Sequence, residues 1–217
     1  MSVQITTDLR PMFFPARDQG DRPTCMAFAA SDAHSFVHGS VLPFSTEYAY
    51  YHAVQRFPPK DPTQGVPMSV MLDVLKAPGQ PHESDWTYLA QLPTPLSTWT
   101  PPLNAGQIFQ HAFDALPVVG RNPLEIIDKK EAVILILAIT EQFFHLPDPT
   151  VIRVLPNDPD VDLHALVGVG TGRLGSERFL LARNSWGSTW GFDGHIWIAE
   201  DYVTTRLLEM AVRGGVK

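Results

Sequence analysis

The chain has 217 residues, 44% of them hydrophobic and 18% charged, a composition that supports a core of its own and excludes intrinsic disorder. Its 16 Lys+Arg against 23 Asp+Glu leave a formal charge of −7, the wrong sign for wrapping a phosphate backbone, which argues against a nucleic-acid partner. The longest strictly apolar run, Ala132 to Ile139, falls far short of the ~18 residues needed to span a bilayer, so no membrane association is expected.

Met1 to Asp8 has neither a basic start nor an apolar stretch of ~7–15 residues, so it does not read as a secretory signal. A cytoplasmic location, or export by a route that needs no signal peptide, is the expectation. Cys25 is the one cysteine, which rules out an intramolecular disulfide and suits a reducing compartment. A lone cysteine is ordinarily a small buried hydrophobe, and only its neighbourhood can argue otherwise.

In chain order, Thr24 is placed to cap a helix that starts at Cys25. Met26, Ala29, Ala30, Ala33, Phe36 and Val37 then recur at helical spacing up to a stop at Gly39. Ser45 can cap a second helix through Tyr48, Tyr51, Ala53 and Val54, and Pro67 can open a third carrying Val70, Met71, Val74 and Leu75. Pro93, Pro95, Pro101 and Pro102 then mark a stretch that sustains neither helix nor ladder and reads as a surface loop. From Ala132 the pattern changes. The runs 132–140, 151–155, 164–170, 178–184 and 195–199 are short, rich in β-branched or aromatic residues, and bounded by Pro, Asn, Asp or Gly. They predict a sheet, expected to be antiparallel, after a helical first half.

If 164–170 and 178–184 form a hairpin across Thr171–Glu177, a loop centred on Leu174 sets His164 directly opposite Asn184. Cross-strand partners have Cβ atoms about 4.5–5.5 Å apart, close enough for an imidazole to meet a carboxamide. A cysteine in the first turn of a helix sits at the positive end of the helix dipole, which favours the thiolate. A histidine can complete that activation as an imidazolium partner, and a third group on its other ring nitrogen fixes orientation and tautomer. Acyl transfer also needs donors for the developing oxyanion. Gln19, six residues before Cys25, offers a side-chain N–H beside the Cys25 backbone N–H.

Read together, these residues resemble the papain-like cysteine peptidases. The carrying segments are Arg17-Asp18-Gln19-Gly20, Cys25 with Ala27-Phe28-Ala29, Ser45-Thr46-Glu47-Tyr48, Glu83-Ser84-Asp85-Trp86-Thr87-Tyr88 and His164-Ala165-Leu166-Val167. Most specific is Asn184-Ser185-Trp186-Gly187, continuing to Trp190-Gly191 and Asp193-Gly194. Cys25 and His164 are 139 residues apart, inside the ~130–150 of papain and cathepsins.

The resemblance implies an α+β two-lobe fold, with a helical lobe over about 12–115 and an antiparallel β-barrel-like lobe over about 116–210. Cys25 would stand on one wall of the cleft and His164 and Asn184 on the other. It implies a peptidase using Cys25, His164, Asn184 and Gln19 on protein or peptide substrates, with no cofactor or metal. It further implies that Gly65 offers backbone hydrogen bonds to an extended substrate, and that Val66, Pro67 and Ala165 line the pocket for the residue second from the cut. Trp186 would cover the His164–Asn184 bond.

The chain departs from the family at Arg22-Pro23-Thr24, where Cys-Gly-Ser is usual, and at Met26 in place of Trp. The family's neighbouring disulfide is therefore absent, and Pro23 removes a backbone N–H from the wall beside the scissile bond. The chain also begins near the family's mature start, leaving no room for a prosegment, so control is expected to come from elsewhere: a regulatory protein partner, regulated delivery into another cell, or a narrow substrate range. These departures motivate one alternative, a catalytically weak binding or regulatory domain; a second, an acyl-transferase or deamidase, arises because the same thioester can be intercepted differently.

Three further patterns read as ordinary structure. Gly170-Thr171-Gly172-Arg173-Leu174-Gly175 fits a dinucleotide fingerprint, but a second strand follows it rather than a helix. His34 and His38 lack the glutamate and third ligand of a zinc site and read as helix-surface histidines. Asp158, Asp160 and Asp162 begin like a calcium loop, but Leu163 and Val169 fall where Gly and Glu belong. Their charge beside His164 would favour its protonated form.

Overall fold

The computed structural model describes residues 2–147 and 150–215. Three helices form the first lobe: α1 (Cys25–Val37), α2 (Thr46–Arg56) and α3 (Met68–Lys76). The starts of α2 and α3 follow the expected chemistry. Ser45 Oγ accepts from the Tyr48 N–H at 3.1 Å, and Pro67 occupies the cap position of α3. At α1 the expectation fails in one respect. Thr24 stands at the cap, but its Oγ1 lies 2.8 Å from the Tyr88 hydroxyl and caps nothing. Gly39 closes α1 with a positive φ of 59°, a backbone region that costs glycine little.

Helix α1 is buried along nearly its whole length because it packs on α2 and α3 on one side and on the sheet on the other. His34 is therefore a core residue, not the surface histidine its spacing suggested. Its Nδ1 lies 2.8 Å from Gln80 Oε1, and the Gln80 amide donates to Ser31 Oγ and the Ser45 carbonyl. That fixes Oε1 as an acceptor, so the His34 proton sits on Nδ1 and its Nε2 accepts from His38 Nε2 at 3.2 Å. Among the described residues no group of three or more side chains is placed to hold a metal.

The second lobe is one eight-stranded sheet of β1 (Gln4–Asp8), β2 (Phe113–Leu116), β3 (Val133–Ile139), β4 (Val151–Ile152), β5 (Asp162–Leu174), β6 (Glu177–Arg183), β7 (His195–Ala199) and β8 (Leu207–Arg213). Their order is β2-β8-β3-β5-β6-β7-β4, with β1 added on β5. The ladder does not close, which corrects the barrel-like expectation, and β4 runs parallel to β7 where only antiparallel pairs were expected. Two boundaries also shift. Strand β2 holds the expected lobe boundary within it yet belongs to the sheet, and β1, from the extreme N-terminus, pairs with the far half of β5. Gly170 and Gly172 make room for β1: a Cβ on Gly170 would lie 2.7 Å from the Thr7 carbonyl oxygen, and one on Gly172 2.6 Å from Val3. The first two fingerprint-like glycines are thus packing residues, and the third, Gly175, serves the β5–β6 turn with a φ of 63°. Helices α4 (Pro123–Asp128) and α5 (Glu200–Arg206) complete the lobe.

The Pro-rich stretch is not wholly superficial, since Trp99 within it is buried and donates from Nε1 to Glu47 Oε1 at 2.6 Å. Asp158 and Asp160 are engaged by Gln142 and Arg206, leaving no calcium loop. Between the lobes, Asp32 of α1 receives Arg183 Nε at 2.6 Å and Arg17 Nη2 at 2.9 Å. Burial works to raise the Asp32 pKa, and the two guanidinium charges overcome it and leave it lowered.

Burial holds the His34 pKa down at about 3, whereas in the unfolded chain it titrates near 6.5. On acidification the unfolded state takes up this proton first. The stability that His34 contributes is complete above about pH 6.5 and is lost as pH falls toward 3. Thermal melts at pH 7, 5 and 4 are expected to show a smaller fall in Tm for His34→Gln than for the parent; equal falls would assign the acid sensitivity to other groups.

Candidate active site

Cys25 is the first residue of α1, so its own N–H and that of Met26 have no intrahelical acceptor and face the sulfur. A third N–H, from Ala165 on β5, reaches it from the other lobe. These three donors favour the thiolate, but burial outweighs them and the nearby Asp162 carboxylate adds to it, so the Cys25 thiol is pushed up. This differs from the direction expected of a helix start. The helix dipole is present, and the loss of water around the sulfur is the larger effect.

His164 is buried on β5. Burial pulls its pKa down to about 4, against the raising influence of Asn184 and Asp162. Asp162 therefore acts on the imidazole in the expected sense.

Asn184 follows β6, and its Oδ1 lies 2.7 Å from His164 Nε2. The same oxygen accepts the Ser185 N–H at 2.8 Å, which identifies it as the amide oxygen. His164 consequently carries its proton on Nε2 and leaves the Nδ1 lone pair open. Asn184 Nδ2 has no hydrogen-bond partner among the described residues.

The two residues meet by a different route from the predicted one. The β5–β6 turn is Gly175-Ser176, not a seven-residue loop, and a bulge lies between Gly168 and Gly170. Val167 pairs with Arg183, so Asn184 falls opposite Leu166, and the register continued places Trp186 opposite His164. A shift of two residues keeps every side chain on its original face. His164 and Asn184 are thus diagonal neighbours, about 7–8 Å apart at that level, which two polar side chains can bridge.

Gln19 sits beside this pair because its backbone N–H donates to the Ser185 carbonyl at 2.8 Å. Its Oε1 accepts from Ser185 Oγ at 2.6 Å and its Nε2 donates to the Arg22 carbonyl at 2.8 Å, leaving the second Nε2 hydrogen unassigned. Trp186 lies over the His164 ring with centroids 4.7 Å apart, and the exposed Phe144 stacks on Trp186 at 5.3 Å.

Gly65 is exposed, and the nearest atom to a Cβ there would be the Pro23 carbonyl oxygen at 3.9 Å. Neither φ nor packing demands glycine at that position. Val66 and Ala165 are buried, Pro67 is half-buried, and Met26 packs into the core.

Ser185, Tyr88 and Phe144 carry roles in the site that the sequence patterns do not assign. Ser185 and Tyr88 lay within quoted motifs, whereas Phe144 carried no signal, because nothing local places it over Trp186.

Residues 124–214 match the family described as papain family cysteine protease. Among solved structures, the cysteine protease xylellain from Xylella fastidiosa is 20% identical with a TM-score of 0.73, covering 100% of this chain and 88% of that one. A structure from a comparison of the mite allergens Blo t 1 and Der p 1 is 18% identical at TM-score 0.77, covering 98% and 71%. Digestive procathepsin L 3 of Tenebrio molitor is 18% identical at TM-score 0.72, covering 98% and 70%. A search of curated proteins returns no match. The sequence of the β lobe is thus similar to that of papain family cysteine proteases, and the chain as a whole shares the fold of the solved cysteine proteases.

Proposed function

We propose that the chain hydrolyses peptide bonds through Cys25, His164 and Asn184 by way of a thioester, with Gln19 as an oxyanion donor. The observation that carries this reading is the double acceptor role of Asn184 Oδ1, because it leaves His164 Nδ1 as a base. The Cys25 proton passes to Nδ1 as the sulfur attacks the substrate carbonyl carbon, whose π electrons move to oxygen. That oxyanion takes the Cys25 N–H and the second Nε2–H of Gln19. On collapse the C–N bond breaks and His164 returns its proton to the leaving amine. Water then attacks the thioester with His164 as base, the C–S bond breaks, and the acid departs.

In this reading the exposed Gly65 offers backbone hydrogen bonds to an extended substrate, and Val66, Pro67 and Ala165 contribute to the pocket for the residue second from the cut. Protein or peptide substrates are the class that the papain-like fold and the family match support for this reading. An amine in place of water would give acyl transfer from the same thioester, and product analysis separates the two.

An epoxide that traps activated thiolates is expected to add once to the parent and not to Cys25→Ala, read by mass. Absence of labelling on the parent would favour a binding domain. Because burial raises the thiol and this reading passes its proton to His164, His164→Ala should slow Cys25 alkylation at pH 6 at least about tenfold and move the rate profile to higher pH. An unchanged profile would remove His164 from the site. Asn184→Ala should lower kcat by misorienting His164 while Cys25 stays alkylatable, and turnover at the parent rate would count against the assigned tautomer.

A further inference from the structure

We propose that Arg22 and Glu47 are positioning residues that hold the oxyanion donor Gln19 in place, an inference that rests on the peptidase reading. The Arg22 carbonyl accepts the Gln19 Nε2–H at 2.8 Å and the Thr24 N–H at 2.8 Å, so the placement of residue 22 sets both the amide and the approach to Cys25.

With one cysteine, the chain ties this loop without sulfur. The buried Arg22 guanidinium forks onto Glu47, Nη1 to Oε2 at 2.6 Å and Nη2 to Oε1 at 3.0 Å, and Nη1 also donates to the Leu89 carbonyl. Glu47 in turn accepts the Trp99 Nε1–H at 2.6 Å and the Leu89 N–H at 3.0 Å, so it is itself fixed from two directions. The aromatic rings of Tyr88 and Tyr50 lie 4.9 and 5.3 Å from the guanidinium carbon. Tyr88 adds a second tie, its hydroxyl donating to the Gln19 carbonyl at 2.7 Å.

A desolvated ion pair of this kind is weak as a source of stability but strong in geometry, because a bidentate fork tolerates one arrangement. An oxyanion donor stabilises the transition state only when it is already oriented at the moment of attack. Arg22 and Glu47 touch no reacting atom, and their influence runs through the Arg22 carbonyl to Gln19.

The test is a cycle on kcat and KM with a peptide substrate. Arg22→Met/Glu47→Gln leaves no buried charge and keeps an acceptor for Trp99. It is expected to lower kcat about tenfold or more, with KM and epoxide labelling of Cys25 little changed. Gln19→Ala alone should cost about 10²–10³ in kcat. In the Gln19→Ala background the two clamp substitutions should change kcat no further, since the route they act through is gone. A kcat at the parent level in the clamp variant, or an undiminished loss in the Gln19→Ala background, would overturn the proposal. Should the double variant fail to fold, Arg22→Lys, which keeps the cation without the fork, is scored by the same cycle. Unfolding of both would mark the pair as a folding element and overturn the positioning role. A parent that neither labels nor hydrolyses sinks the peptidase reading itself and takes the clamp's role with it.

Discussion

A carboxylate sealed between the two lobes sets the geometry of everything around it. Asp32 lies two turns along α1 from Cys25, and Arg183, which it binds, immediately precedes Asn184. The ion pair therefore fixes the helix that carries the sulfur against the strand that delivers the carboxamide. Arg17, the other partner of Asp32, extends the tie to Glu83 and the Phe44 carbonyl. Removing one side would strand a charge out of water, at a cost of about 3–5 kcal/mol, so sliding of the lobes is opposed far more strongly than by apolar contact alone.

On that frame the polar atoms of the site form a single connected set. Ser185 joins its two halves, giving its N–H to Asn184 and its hydroxyl to Gln19, so the group that orients the imidazole and the group that would meet the oxyanion share one residue. The loop before Cys25 is held by a separate set of buried partners from the helical lobe. Apolar rings close the arrangement, with Trp186 over His164 and Phe144 over Trp186. Water is kept from the His164–Asn184 bond, and the same burial that protects it penalises either charge in isolation.

Much of this was readable in local patterns. The helix at Cys25 followed from helical spacing between Met26 and Val37, and Ser45 announced its cap role because capping is decided within four residues. The strands from Ala132 onward were visible because their cores are apolar and their ends punctuated. Strands β1 and β8 and helix α5 were not, since their residues are mixed in character and acquire their state from the neighbour they pair with or pack on. The His164–Asn184 meeting was anticipated from a register off by two residues, and it survived because that error preserves the face.

The amino-acid sequence by itself determined which chemistry the chain carries: a single thiol at a helix start, a histidine and an asparagine on one face of a hairpin, and a glutamine just upstream. Periodicity, capping and short motifs are properties of neighbouring residues, so they are written in order along the chain. What only the tertiary structure decided is the charge state and the orientation of those groups. His34 became a core residue, the Cys25 thiol was pushed up rather than down, Thr24 turned to Tyr88, and Arg22 found Glu47. Desolvation and long-range hydrogen bonding depend on what packs against a residue from distant parts of the chain, and no local pattern encodes that.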